Sequence, residues 1–281
     1  MLLIDYNQVF LSTIFAFNKS NLNDVNESLI RHTVLTCALS YKRKYGEEYG
    51  DLVFCCDSHG NYWRKELFKY YKASRKKYRD KTGLNWDMIY DSLNKIRNEF
   101  KDNMPYKVLC FDTVEADDII ATLAKHIQNE PVLIISGDFD FVPLQLYDNV
   151  KQYSPIQKKW VKHDNPALYL KEKILRGDVG DGIPNFLSDD DTFVNPDKRQ
   201  TPLREKKLQV YLNSSIDDYE VRLQENYKRN QKLIDLLNFI PAEIELNIIK
   251  EFEEQKPTRK KIMSYFVNNK LKILTESLTD F

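Results

Sequence analysis

The stretch EADDIIATLAKHIQNEPVLIISGDFDF, residues 115–141, sets the terms on which the remainder of the chain is read. Apolar residues at Ile119, Ile120, Leu123, Ala124 and Ile127 recur at helical spacing. Glu115, Asp117 and Asp118 fall in the first turn of that helix, where carboxylates complement free N–H groups. The run Pro131–Ser136 then reads as a short buried strand, followed by Gly137-Asp138-Phe139-Asp140. In a parallel α/β sheet the carboxyl ends of strands and the starts of the following helices share one edge. Five carboxylates meeting there repel one another unless they are protonated or neutralised by a cation. Oxygen donors without His or Cys suit Mg²⁺ or Mn²⁺ rather than zinc. Taken alone, the stretch is equally well explained by helix capping and a solvated turn.

Working outward, Met1–Ile4 is an apolar run that ends in Asp5, and Leu52–Cys56 is a second that ends in Asp57. Tyr106–Phe111 makes a third, ending in Asp112, and the Val132–Ser136 strand is followed by Asp138. Helical patterns at 24–45, 84–103 and 115–127 lie between them, so the expected core is a mostly parallel sheet flanked by helices. Four strands each ending in an acid point to one shared site. Val150–Tyr153 and Trp160–Val161 read as two further short strands, and Ala167–Leu175 as a helix. The loop that follows holds Gly177, Gly180 and Gly182, three of the eight glycines in the chain, around Asp178 and Asp181. Glycines let backbone approach a ligand closely, and acids at i and i+3 face the same way. A Gly-Asp turn with no ligand is the plain alternative.

The chain has 281 residues, enough for one large domain or two of ordinary size. The expected division is an α/β domain at 1–185, a linker or mobile loop at 186–207 and a smaller all-helical C-terminal domain at 208–281. The Asp189-Asp-Asp191 run in the linker reads as solvated. No apolar run reaches the ~20 residues that span a bilayer. Asp5 interrupts the layout of a signal peptide, so a cytoplasmic protein with no membrane association is expected. Four cysteines without a CxxC pair read as reduced thiols.

Forty-two basic residues balance forty-two acidic ones, which counts against general nonspecific adhesion to nucleic acid. The two signs are segregated, however. Between Arg64 and Lys81 stand nine basic residues (Arg64, Lys65, Lys69, Lys72, Arg75, Lys76, Lys77, Arg79, Lys81) against Glu66 and Asp80, a net charge of +7. Such an excess fits phosphate contact. The interleaved Tyr62, Trp63, Phe68, Tyr70, Tyr71 and Tyr78 could stack on bases. At helical spacing, though, such a stripe is more often core, here Trp63, Leu67 and Tyr70 or Tyr71 on one side of a solvated basic helix.

Together, strand-Asp5, strand-Asp57, Tyr62-Trp-Arg with Tyr71-Lys-Ala-Ser-Arg75, Glu115-Ala-Asp-Asp118, Ser136-Gly-Asp-Phe-Asp140 and Gly177-Asp-Val-Gly-Asp-Gly-Ile-Pro184 resemble the flap endonuclease (5′-nuclease) family. The C-terminal part, including Lys261–Val267 and the Thr279-Asp-Phe281 ending, is similar to the ribonucleases H of T-even-type phages. The resemblance implies a Mg²⁺-dependent hydrolase acting on the 5′ end of RNA or DNA in RNA–DNA hybrids, DNA duplexes and flaps during phage-type lagging-strand replication. Asp5, Asp57, Glu115, Asp117 and Asp138 would surround one Mg²⁺, Asp140, Asp178 and Asp181 a second, with Mn²⁺ as a substitute. Asp118 matches a family acid and is kept with the metal set. Lys72 and Arg75 match basic residues that contact the scissile phosphate, and Arg64 lies on the same segment. A single-stranded-DNA-binding protein docking on the C-terminal region, and a monomer, are further expectations. After Pro184 the chain departs from the family, where Asn185–Asp191 replaces a helical hairpin that grips duplex DNA.

Two other readings fit parts of the sequence. Asp138-Phe-Asp-Phe-Val142 has the spacing of a phosphatase loop with an aspartyl nucleophile, but that chemistry has no use for the basic segment or for Asp5 and Asp57. A non-catalytic nucleic-acid-binding scaffold has no use for acids beside phosphate.

Overall fold

The computed structural model describes residues 1–17, 25–75, 79, 82 and 84–281. Strand β1 (Leu2–Asp5) lies inside a six-stranded sheet of order β3-β2-β1-β4-β5-β6. It pairs in parallel with β2 (Leu52–Cys55) on one side and β4 (Val132–Ile135) on the other. β3 (Lys107–Leu109) and β5 (Val150–Ser154) extend the parallel array, and β6 (Lys159–Val161) closes it antiparallel. The residues of β1, β2 and β4 are buried on both faces, as expected where helices cover both sides of a sheet.

The chain moves from β1 to β2 and β3 on one side, then returns to place β4 on the other. The crevice between β1 and β4 is therefore a topological switch point, the position where open α/β sheets bind ligands. Asp5 and Asp138 stand at its mouth.

Helix α1 (Tyr6–Phe17) and α2 (Glu27–Tyr49) pack on one face of the sheet with α4 (Trp86–Asn103). The 6–17 helix is absent from the sequence reading. Helix α5 (Ala116–His126) covers the other face. The basic segment is not a continuous helix: α3 is the single turn Arg64–Leu67, followed by turns through Ser74. Leu67, a member of the expected core stripe, is 53% exposed, whereas Trp63, Phe68 and Tyr71 are buried.

After α6 (Pro166–Arg176), residues 186–204 form turns rather than helix or strand. They are nonetheless tied down. Phe186 is buried against Tyr211 and Tyr219, and the Asn185 side chain accepts from the Ser188 hydroxyl at 2.8 Å and donates to the Thr201 carbonyl at 2.9 Å. The Asp run lies at the solvent-exposed surface and makes ion pairs there: Lys198 reaches Asp189 and Asp191, and Arg229 reaches Asp190.

The remaining helices, α7 (Glu205–Asn213), α8 (Val221–Ile234), α9 (Ala242–Glu254), α10 (Ile262–Asn268) and α11 (Lys272–Thr275), share hydrophobic clusters with the α/β part. Ile248 and Phe252 pack with α5, and Phe266 and Phe281 with the α2 face. Past the end of α9, Gln255 lies along β3, the edge strand. Its side-chain amide accepts from the Val108 N–H and donates to the Val108 carbonyl, both at 2.9 Å. No helix among the described residues is long and apolar enough to cross a membrane.

Candidate active site

Local structure at the strand ends aims the acids. Asp5 is the last residue of β1; its carboxylate accepts from the Ser136 hydroxyl at 2.9 Å and the Gln8 N–H at 3.3 Å. Asp57, just past β2, is held by the Asn7 side-chain amide and by the Ala116 N–H at the start of α5, each at 2.9 Å. Asp138 caps the 3₁₀ helix Phe139–Leu146, accepting from the Asp140 N–H at 2.9 Å. Asp178 accepts from the Asp181 N–H at 3.0 Å, which fixes both acids in the glycine loop. That loop requires glycine at 177: φ is +70°, and a Cβ there would lie 2.4 Å from the Ile183 carbonyl oxygen.

A cavity of about 820 Å³ opens at these strand ends. Seven of the nine predicted acids line it: Asp5, Asp57, Asp117, Asp138, Asp140, Asp178 and Asp181. Lys65, Lys72, Arg75 and Arg79 line it too, together with Tyr62 and Tyr90. Burial, with Asp57 and Asp138 adding repulsion, pushes the Asp5 carboxyl up to about 8. Burial likewise pushes Asp117 well up, reinforced by Asp138 and Asp5. Burial raises Asp138 as well, although Lys173 pulls the other way. Asp181 is the contrast: burial would raise it, but Lys72 and Arg75 outweigh burial and hold it below the ordinary carboxylate value.

Two predicted metal ligands are not brought to the cavity wall. Asp118, 0% exposed, accepts both guanidinium nitrogens of Arg64 (2.7 and 3.1 Å), the Trp63 indole at 3.0 Å and the Glu115 N–H at 3.0 Å. Its lone pairs are committed, so the capping explanation holds for Asp118 and the metal assignment is withdrawn. Glu115, also buried, accepts from Arg64 at 2.7 Å and from the Tyr71 hydroxyl at 2.9 Å, and pairs with Lys72. It is linked to the cavity acids through Lys72 and through the Tyr71 hydroxyl, which also reaches Asp181 at 3.0 Å.

Arg64 is corrected as well. It is 3% exposed, paired with Asp118 and Glu115 and donating to the Leu233 carbonyl at 3.0 Å, so it cannot reach a phosphate. Burial lowers its basicity, but Asp118, Tyr71 and Glu115 more than restore it. It joins the basic segment, the start of α5 and the end of α8 at one point. Arg64→Met would leave the buried Asp118 carboxylate without a counter-ion and Glu115 with Lys72 alone, which costs about 3–5 kcal/mol. In a chain of this length that lowers the melting temperature by on the order of 10 °C. Thermal unfolding followed by circular dichroism checks it, and an unchanged midpoint would show that the network carries no load.

The other basic residues divide. Lys72 sits at φ 56°, a left-handed conformation unusual for a side-chain-bearing residue, held by its N–H to the Asp181 carbonyl at 2.7 Å. Arg75 is half-exposed and pairs with Asp181 at 2.5 Å. Lys69 is exposed outside the cavity, its ammonium 4.9 Å from the Tyr70 ring. Lys76 and Lys77 lie outside the described residues. Asp112, the third strand-end acid, does not join the others; it lines a separate groove against α9 with Glu243, Asn247 and Lys250.

Sequence reading overlooked Lys173, near the end of α6, which pairs with Asp140 and stands 3.1 Å from Asp178. Its position, five residues before Asp178 on the helix leading into the glycine loop, was the available signal. Asn7, two residues past Asp5, was overlooked in the same way.

The donor set fits a hard divalent cation: all oxygen, lining one cavity, and in part without a compensating charge. Among the described residues, no three of these side chains form a closed ligand set as they stand.

A switch-point pocket of carboxylates rimmed by lysine and arginine defines a phosphodiesterase of the 5′-nuclease class. Residues 1–174 match the family model of the 5′-3′ exonuclease N-terminal, resolvase-like domain, and residues 164–281 match that of the phage T4 RNase H C-terminal region. The chain belongs to the 5′-3′ exonuclease family. It is 35% identical over 291 aligned positions to the ribonuclease H of Enterobacteria phage T4, covering 99% of this chain and 95% of that protein. It is 26% identical over 300 positions to a 5′-3′ exonuclease of Buchnera aphidicola, covering 95% of each. The fold is shared with the flap endonuclease of bacteriophage T5 in a complex with DNA and metal ions (TM-score 0.60, 20% identity, 98% of each chain). It is shared too with the T5 5′-exonuclease carrying zinc (TM-score 0.59, 18% identity, 97% of this chain and 98% of that one). The phosphatase and non-catalytic readings are superseded by this membership.

Proposed function

We propose that the protein is a Mg²⁺-dependent 5′-to-3′ nuclease that removes RNA and DNA from the 5′ ends of RNA–DNA hybrids and DNA duplexes and cuts 5′ flaps in phage-type replication. The observation that carries the reading is the gathering of seven carboxylates in one cavity with Lys72 and Arg75 on its wall. The named activity of the T4 relative and the DNA held by the T5 neighbour support the choice of substrate.

Asp5, Asp57, Asp117 and Asp138 would hold one divalent ion, and Asp140, Asp178 and Asp181 a second. Bound there, such ions supply Lewis-acid activation of water and stabilisation of the leaving oxygen. The chain's own part is to position and to neutralise. Asn7, Gln8 and Ser136 orient Asp57 and Asp5, so the carboxylates are aimed before any ligand arrives. Lys72 and Arg75 offset the charge that builds on the phosphate oxygens. Tyr62, lying under the Lys72 and Lys65 ammonium groups, offers an aromatic surface beside the backbone path.

A 5′-labelled RNA–DNA hybrid and a flapped duplex, each incubated with Mg²⁺ and with chelator, test the proposal. Label released only with metal is the expected result, and release in chelator, or none at all, would end it. We extend the reading to a monomer in the cytoplasm (of a host cell, if phage-encoded), with a single-stranded-DNA-binding protein docking on residues 208–281.

The raised carboxyls give a pH signature. Asp5 keeps its proton in the folded, metal-free protein to about pH 8, whereas an unfolded chain releases it near pH 4. The folded state thus binds more protons between those values, so stability falls as pH rises through that window and levels off above it. Cation binding needs the deprotonated form and offsets the loss. Mg²⁺ is therefore expected to raise the melting temperature more at pH 8 than at pH 5, measured by scanning fluorimetry. Equal shifts at both values would count against the assignment of these acids.

A further inference from the structure

We propose, on the reading of the cavity as a nuclease active site, that Ser58 and Asn94 form a subsite for a ribose 2′-hydroxyl. The pair favours RNA over DNA in the strand that is cut.

Buried polar groups without a partner are few in folded proteins, and each calls for an explanation. Among the described residues seven buried side-chain polar atoms make no hydrogen bond. Only two of them, Ser58 Oγ and Asn94 Nδ2, belong to residues that line the cavity. Both stand on the wall that carries Asp57. Ser58 follows Asp57 directly, is 8% exposed, and is fixed by its N–H to the Val114 carbonyl at 3.0 Å. Asn94 arrives from α4, whose Asp87, Tyr90, Asp91 and Asn94 all line the cavity. Spacings of three and four residues put those four on one helix face.

The orientation of Asn94 is set from behind. Arg97 Nη1 donates to Asn94 Oδ1 at 3.2 Å and to Cys110 Sγ at 3.3 Å, and that thiol donates to the Asp57 carbonyl at 3.5 Å. A guanidinium only donates, so the amide oxygen must face it and the NH₂ group is left for a ligand. The same links tie Asn94 to the backbone that carries Ser58. One corner of the pocket therefore offers a donor beside a hydroxyl that can donate or accept.

Donors and acceptors left unmet when a substrate closes the pocket cost free energy, so a substrate group that satisfies them is favoured. A phosphate in this corner would sit beside Asp87 and Asp91, whose carboxylates repel it. A hydroxyl carries no charge, accepts from Asn94 and bonds to Ser58 in either sense. The one hydroxyl on an internal nucleotide is the ribose 2′-OH, the group by which a protein tells RNA from DNA. The position beside Asp57 assigns it to a nucleotide next to the bond that is cut.

Single-turnover cleavage with Mg²⁺ tests this, using a 5′-labelled RNA strand on a DNA template whose 2′-hydroxyls near the cut are replaced one at a time by hydrogen. Wild type is compared with Ser58→Ala and with Asn94→Asp, which keeps an acceptor for Arg97 and removes the donor. In wild type one 2′-deoxy position should slow cleavage about three- to tenfold, the worth of a hydrogen bond between neutral groups. Each variant should lower the rate on the all-RNA strand, relative to an all-DNA strand of the same sequence, by a similar factor. Each should also lose its sensitivity at that one position. Equal losses on RNA and DNA strands would mark the two residues as structural or as contacts to a base, and would overturn the inference. So would a wild type indifferent to every single 2′-deoxy change; in that case the nuclease reading stands. If wild type cuts neither strand, that reading falls and the subsite with it. Should one variant fail to fold, the other and the wild-type scan decide.

Discussion

Replacing Asp138 by Asn is expected to abolish cleavage and leave nucleic-acid binding intact. Asp138 stands at the switch point, where its carboxylate caps the following 3₁₀ helix through the Asp140 N–H. The Asn carbonyl oxygen can keep that hydrogen bond, so the loop geometry survives and the negative charge is what disappears. Lys173 acts on that carboxylate from a distance, but among the described residues no ion pair holds it, so its charge counts toward holding a cation. The loss should be at least the ~10²–10³-fold that follows removal of one preorganised charge-stabilising group. Binding should hold or tighten slightly, because a negative charge beside phosphate has been removed. Single-turnover cleavage of a 5′-labelled hybrid and a gel-shift titration provide the two readouts. Cleavage near the wild-type rate at physiological Mg²⁺ would place the reactive centre elsewhere.

Lys72→Ala is expected to slow turnover by ~10²–10³-fold while KM changes little. The ammonium lies between Glu115 and Asp181, and these acids raise its basicity despite burial, so it stays charged at any working pH. Its removal leaves Glu115 with Arg64 and Tyr71 and Asp181 with Arg75, so neither acid is stranded and the fold should survive. The backbone adds a control. Residue 72 has φ 56°, a conformation that glycine adopts without strain and alanine does not. If Lys72→Gly and Lys72→Ala lose activity equally, charge is the cause; recovery in the glycine variant would implicate the backbone.

Most of the sheet was legible because each central strand is a short apolar run buried on both faces. The helices at 27–49, 86–103, 116–126 and 166–176 carried periodic or capping signals. Helix 6–17 escaped because Val9, Phe10 and Ile14 sit among Leu11, Phe15 and Phe17, so its apolar residues form no single stripe. The acids that line the cavity were legible as strand-end and glycine-loop carboxylates. What could not be read was the pairing. Asp117 and Asp118 are neighbours in the chain, and only the arrival of Arg64 and Trp63 from fifty residues upstream decides which one faces the cavity. Arg64 itself carries the same charge as Lys72, and burial alone separates their roles. Asp112 shows the opposite error: a strand-end acid in an outer strand points to another groove.

Gln255 bears on any attempt to trim this protein. Its amide occupies the open hydrogen-bonding groups of Val108 on the outermost strand, in the manner of a one-residue surrogate strand, while Phe252 sits beneath the Lys107 ammonium. An uncovered sheet margin is a template for self-association. A chain cut at Pro241, the obvious way to ask whether the C-terminal helices recruit a partner, would expose that margin and the apolar surface under Ile248 and Phe252 together. Such a fragment would be expected to precipitate, and its failure to capture a partner would say nothing about recruitment. Single substitutions at exposed positions of the 242–254 helix, such as Leu246, put that question to an intact molecule.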